Sequence, residues 1–161
     1  MYDIYRHKCG EVYDLEQRIS FGKQQQGQSY IQRTGVYAVI LRFQGGQVAV
    51  IKNERGLYFL PGGGLEPGED HTTCLERELR EETGYQIHIG RYIGQAEQYH
   101  MSLLCQPILG IGHFYFAKMQ DKLHDPSEPG ELVWLDTRQA SQSLFLESQA
   151  WAVCTALRMS H

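Results

Sequence analysis

The chain has 161 residues, 42% of them hydrophobic and 21% charged, with a net charge of −4 and 4 cysteines. This is ordinary globular usage for a single domain spanning residues 1–161, long enough to bury about 70% of its unfolded surface. The mild acidity argues against a nucleic-acid partner, which calls for a basic stripe, and no apolar run approaches the roughly 20 residues of a membrane span. The N-terminal MYDIYRHKCG lacks a signal-peptide core, and Cys9, Cys74, Cys105 and Cys154 form no C-x-x-C pair. A cytoplasmic protein with reduced thiols is expected.

In chain order, residues 1–33 include the polar stretch Gln24–Gln28, a loop or exposed hairpin end. Val36–Phe43 and Val48–Lys52 are β-rich and are joined by Gln44-Gly45-Gly46-Gln47, a hairpin signal. Tyr58–Leu60 makes a short strand, after which Pro61 and Gly62, Gly63 and Gly64 force a turn. From His71 to Glu82 there is no Gly or Pro, and Leu75 and Leu79 mark one apolar stripe of a helix. Glu69 or Asp70 can cap its start, and Gly84 suits a left-handed cap at its end. Gln86–Ile89, Tyr92–Tyr99, Ile111–Ala117 and Leu132–Leu135 read as strands, with loops at His100–Gly110 and at 119–130. Leu144–Met159 has no breaker, and Phe145, Trp151, Cys154 and Leu157 suit a packed C-terminal helix. Strands, a helix, more strands and a helix predict an α+β fold, a mixed sheet covered by helices.

Charge is concentrated where the glycine turn meets the first helix. Between Gly63 and Tyr85 lie seven acids (Glu66, Glu69, Asp70, Glu76, Glu78, Glu81, Glu82) against Arg77 and Arg80, so the rest of the chain is close to neutral. Like charges on one short helix destabilise it unless something cancels them. Glu78 is i,i+3 with Glu81 and i,i+4 with Glu82, so three carboxylates share a face beside the leucine stripe. Hard oxygen ligands of this kind favour Mg²⁺, or Mn²⁺ in its place, over zinc.

The whole pattern resembles the signature of the Nudix hydrolases, in the manner of the MutT enzymes. Gly63, Glu69, Arg77, Glu78, Leu79, Glu81, Glu82 and Gly84 match that box at every spacing, and Phe59-Leu60-Pro61-Gly62-Gly63 is similar to its usual entry. Only Tyr85, where the family has an aliphatic residue, departs from it. The resemblance implies an α/β/α sandwich with a mixed β-sheet and a Mg²⁺-dependent hydrolase of nucleoside diphosphates linked to another group. It also implies that Glu78, Glu81 and Glu82 bind metal together with the Gly63 carbonyl, with Glu78 able to act as a base. Glu69 and Arg77 are read as an ion pair that shapes the loop.

The family often adds a distal glutamate ahead of a Trp-containing strand, and here the region reads Ser127-Glu128-Pro129-Gly130-Glu131-Leu132-Val133-Trp134. Glu131, entering a rigid strand, is the expected fourth catalytic acid, and Glu128, in a loop, is the alternative. His100, His113 and Cys74 are read as structural. Of Tyr37, Tyr58, Tyr92 and Tyr99, one or two are expected to meet ligand. The marks that the family associates with ADP-ribose, dinucleoside polyphosphate, NADH or coenzyme A substrates are missing. That leaves a (deoxy)nucleoside triphosphate as the expected small-molecule substrate, ahead of a nucleotide sugar or ADP-ribose. The other reading is a nucleotide sensor of the same fold without hydrolysis. A homodimer is compatible with the sequence, and neither a membrane nor a nucleic-acid partner is expected.

Overall fold

A computed structural model describes residues 18–161. Cys9 and the N-terminal segment weighed above lie outside the described residues. The strands are β1 (Ser20–Phe21), β2 (Ile31–Val39), β3 (Leu41–Arg42), β4 (Gln47–Lys52), β5 (Tyr58–Phe59) and β6 (Gly62–Gly64). After helix α1 (His71–Thr83) come β7 (Tyr85–Met101), β8 (Pro107–Lys122) and β9 (Glu131–Asp136). Two helices, α2 (Thr137–Ser143) and α3 (Glu147–Met159), follow.

The main sheet is mixed, in the order β1-β7-β8-β2-β6. β7 and β8 form a long antiparallel hairpin, β2 runs parallel to β8, and β6 is antiparallel to β2. A second sheet is built on β4, which pairs with β3, β5 and β9. The expected β3–β4 hairpin is present, and its turn holds Phe43 and Gln44 at φ 52° and 56°.

β2 is buried on both faces, and its period of two decides what each face does. Val36, Ala38 and Ile40 pack under α1 with Leu75 and Leu79. Tyr37 and Val39 face the other way, with Phe114 and Val153 of α3. The same parity carries Arg33 and Gly35 toward the α3 side, into a cleft described below.

Three expectations are corrected. Gly90 and Arg91 do not separate two strands. β7 runs through them, and register shifts against β8 near Ile89, Tyr92 and Gly94 absorb the irregularity as bulges. The expected loop from His100 to Gly110 shrinks to residues 102–106, because Pro107 takes the first position of β8, where a strand tolerates proline. The last helix starts at Glu147 rather than Leu144. Leu144 pairs with Tyr58 and the Phe145 N–H donates to the Tyr58 carbonyl at 3.0 Å, holding this stretch extended. The short helix α2 was not foreseen. Its start is capped by Asp136, which accepts from the Arg138 N–H at 2.8 Å.

Candidate active site

Helix α1 is built as its sequence dictates. The Asp70 side chain accepts from the Thr73 N–H at 2.7 Å, and this bond holds its carboxyl below the usual range. Leu75 and Leu79 are fully buried. Gly84 closes the helix at φ 75°, and its N–H donates to the Arg80 carbonyl at 2.9 Å.

The three glycines expected as a turn form strand β6 on the edge of the sheet beside β2, and this strand lies directly against the carboxylate face. A Cβ at Gly63 would stand 2.5 Å from the Glu78 carboxyl carbon, so any other residue there would push that carboxylate from its place. The Gly62 N–H donates to Glu82 Oε1 at 2.9 Å, tying strand to helix.

Arg77 and Glu69 form the expected ion pair, bidentate, with Nε–Oε1 at 2.6 Å and Nη2–Oε2 at 2.9 Å. Arg77 beside it holds the Glu69 carboxyl down to about 2. Glu69 also accepts from the Glu66 N–H at 2.9 Å, and Arg77 donates to the Gly64 carbonyl at 3.1 Å, so the pair does shape the loop. It reaches further than the sequence suggested. Arg77 Nη1 also donates to Glu78 at 2.8 Å and to Glu81 at 3.3 Å, which orients two of the site's acids.

The distal acid in this cluster is Glu128. One carboxylate oxygen from each of Glu78, Glu81 and Glu128 lies within 4.8 Å of the others. Glu131 is not part of this group. It is exposed at the start of β9, where register pairs it with Lys52. The loop that carries Glu128 is held more firmly than its proline-flanked sequence suggests. The N–H groups of Ser127 and Glu128 donate to the Glu81 carbonyl at 2.9 and 3.1 Å, and the Leu123 N–H donates to the Gly84 carbonyl at 2.8 Å. These carbonyls belong to the helix end, which leaves its last acceptors unsatisfied. The loop fills them and is anchored by doing so.

Burial pushes the Glu82 carboxyl well above its ordinary value, partly opposed by the Gly62 N–H and reinforced by Glu78, Glu128 and Glu81. Glu78 and Glu128 are raised as well, again chiefly by burial. A cation would neutralise these buried carboxylates where protons otherwise do. The donor set is all hard oxygen, which fits Mg²⁺ or Mn²⁺. The Gly63 carbonyl faces the Cys74 thiol at 3.7 Å. Burial raises that thiol to about 11, as befits a structural cysteine.

Glu78, Glu82 and Glu128 line a cleft of about 580 Å³. A pair of aromatic rings on neighbouring strands also borders it, Phe114 fully buried behind Tyr37. Tyr37 and Phe114 stack at 5.7 Å and 28°, and each folds back over the glycine two residues earlier. A Cβ on Gly35 would meet the Tyr37 hydroxyl at 2.6 Å, and one on Gly112 would meet Phe114 Cζ at 2.8 Å. Of the four tyrosines named from sequence, only Tyr37 lines the cleft. Tyr58 packs in the core, Tyr99 meets Tyr30, and Tyr92 bonds His113 at 3.0 Å on the α1 side of the sheet. His100 does line the cleft. The Arg77–Glu81 bond is an i,i+4 pair that helical spacing could have offered, whereas the Tyr37–Phe114 pair joins residues far apart along the chain and no local pattern marks it.

The fold is shared with solved structures. A NUDIX hydrolase from Nitrosomonas europaea superposes with a TM-score of 0.64 at 18% identity, over 81% of this chain and 92% of that one. An ADP-ribose pyrophosphatase from Streptococcus suis gives 0.62 at 16% identity, over 80% and 92%. A MutT protein from Bacillus halodurans gives 0.62 at 19% identity, over 78% and 82%. At these identities the likeness establishes the fold alone. No curated protein matches the chain by sequence. The sequence profile of the NUDIX domain, however, matches residues 31–153, most of the chain. The chain therefore belongs to the NUDIX domain family, and it is a Nudix hydrolase.

Proposed function

We propose that this hydrolase splits a phosphoanhydride bond of a nucleoside diphosphate linked to another group, with a (deoxy)nucleoside triphosphate as substrate and Mg²⁺ as its ion. The observation that carries the reading is the convergence of Glu78, Glu81 and Glu128 within 4.8 Å, with Glu78 and Glu128 also lining a cleft of about 580 Å³. The carboxylates suit a cation-bound polyphosphate, and the volume of the cleft suits a nucleoside.

Glu78, Glu81, Glu82 and Glu128 would hold the ion, with Gly63 as the backbone contributor. When bound, the ion supplies charge neutralisation at the nonbridging phosphate oxygens and acidifies water. The protein's own groups do the rest. Arg77 keeps Glu78 and Glu81 oriented through its two hydrogen bonds. Glu128, whose proton affinity burial has raised, takes up the proton of the attacking water at its carboxylate. Burial pushes the Tyr37 hydroxyl up to about 12, so it stays a donor and can bond a phosphate oxygen. Arg33 at the cleft wall makes no ion pair among the described residues and is available to the outer phosphate.

A panel of nucleoside triphosphates, ADP-ribose and nucleotide sugars, incubated with Mg²⁺ and assayed for phosphate and pyrophosphate release, tests this. Pyrophosphate from a triphosphate is the expected product. Binding without any release would favour the sensor reading instead. The sugar-linked compounds belong in the panel because an ADP-ribose pyrophosphatase and a UDP-X diphosphatase share the fold.

A further inference from the structure

The cleft lined by Glu78, Glu82 and Glu128 is also lined by two buried glutamines, Gln98 of β7 and Gln149 of α3, 6% and 1% exposed. A buried carboxamide must place one acceptor and two donors, and which end points where is set by its partners. Here both partners are backbone N–H groups, which can only donate. The Leu60 N–H donates to Gln149 Oε1 at 2.7 Å. The Ser148 N–H donates to Gln98 Oε1 at 2.9 Å. The second bond satisfies one of the orphan donors at the start of α3, where Leu146 stands as N-cap and offers no side-chain bond. Neither amide can flip without breaking its bond.

With the oxygens committed, the amino groups are what these side chains present. Gln98 Nε2 reaches only the Tyr99 carbonyl at a long 3.4 Å, and among the described residues Gln149 Nε2 has no protein acceptor. Gln149 Nε2 is also absent from the fully buried unsatisfied groups, so it retains access to the cleft. Leu60 is two residues before Gly62, which Glu82 holds, so the two N–H groups are at most about 7 Å apart. The two glutamines therefore share one cleft with Glu78, Glu82 and Glu128, within the span of a single nucleotide.

We propose that the amino groups of Gln149 and Gln98 read a carbonyl oxygen of the nucleobase, so that the enzyme selects keto bases over bases bearing an exocyclic amine at the same place. An amine there would meet two donors and leave all of them unpaired, the arrangement by which a polar site rejects an analogue most strongly. This inference rests on the nucleotide-hydrolase reading above. Uracil and guanine are the favoured bases, and cytosine and adenine are disfavoured.

The test is kcat/KM for UTP against CTP and for GTP against ATP, with Mg²⁺, in the wild type and in Gln149→Glu. The glutamate keeps an oxygen for the Leu60 N–H and replaces only the amino group. The wild type is expected to favour UTP and GTP by tenfold or more, and Gln149→Glu to shrink or reverse that ratio. Gln98→Glu provides the same comparison if the first variant does not fold. Equal kcat/KM for all four nucleotides, or a ratio unmoved in a folded variant, overturns the proposal. Binding of the α,β-methylene analogues of UTP and CTP is measured alongside. Tight binding of both without preference overturns base reading alone, whereas no binding and no hydrolysis of any nucleotide overturns the nucleotide reading as well.

Discussion

The main-chain N–H of Glu128 donates to the carbonyl of Glu81 at 3.1 Å, so the loop acid is tied to the same helix end as the acid it faces. Side chains whose carboxylate oxygens lie within 4.8 Å of each other are here held by a backbone bond between their own residues. The loop is therefore part of the site rather than a flap over it.

It follows that Glu128→Gln should be crippled and Glu131→Gln should not. Losing a carboxylate from the cluster should lower kcat by roughly 10²-fold, about 3 kcal/mol of transition-state stabilisation. Glu82→Gln and Glu78→Gln should lose as much, while Glu76→Gln, which has no contact with the cluster, should keep wild-type kinetics. Steady-state assays on these five variants decide the matter, and a wild-type rate for Glu128→Gln would restore Glu131 as the candidate.

The box was legible because its chemistry is local. Glu78, Glu81 and Glu82 lie within two helical turns, so spacing alone puts them on one face, and Gly84 and Asp70 announce the ends. Glu128 was ranked below Glu131 because sequence shows a proline-flanked loop and not the carbonyls of Glu81 and Gly84 that hold it. The Tyr37–Phe114 pair was equally invisible, since it depends on β2 lying parallel to β8 in a register that pairs Gly35 with Gly112. Boundaries failed where long-range pairing overrode local signals, as when β8 accepted Pro107 and β7 bulged through Gly90.

Cation removal should loosen the protein. Without an ion the raised carboxyls of Glu78, Glu82 and Glu128 remain crowded. Mg²⁺ binds the folded state, so at a hundred times its Kd it should add about 2.7 kcal/mol. Differential scanning fluorimetry in EDTA and across a Mg²⁺ titration should show a rising Tm in the wild type and a smaller rise in Glu128→Gln. A Tm indifferent to Mg²⁺ in the wild type would remove the cation from this cluster.

In EDTA, pH should act on two glutamates with opposite signs. Glu82 is raised in the folded protein, so folded chains bind its proton more tightly than unfolded ones. Its stabilising contribution is full below the ordinary carboxylate range and lost as pH rises through its raised value. Glu69, held down to about 2 by Arg77, contributes above the ordinary range and loses that contribution as pH falls toward 2. Melting curves against pH should therefore show Glu82→Gln flattening the loss toward neutral pH, and Glu69→Gln flattening the loss in acid. The same slope in both variants would mean that neither group carries the dependence.

The aromatic pair gives a prediction that separates shape from charge. Gly112 is paired with Gly35, and the Phe114 ring occupies the space into which a side chain at 112 would project, with Cζ 2.8 Å and Cε2 3.0 Å from an added Cβ. Phe114 is fully buried against Val153 and Trp151, so its rigid ring has nowhere to retreat. Gly112→Ala should then destabilise by about 1–3 kcal/mol, the usual cost of overpacking a core, and should displace the Tyr37 ring that lines the cleft. Because Glu78, Glu81 and Glu128 stand on other elements, α1 and the loop before β9, KM for a triphosphate should rise more than kcat falls. Phe114→Leu combined with Gly112→Ala makes room for the methyl and should recover part of the stability while KM stays high. Denaturant titration and steady-state kinetics on the single and double variants test both halves. A Gly112→Ala protein with wild-type stability and KM would show that the ring does not depend on the glycine.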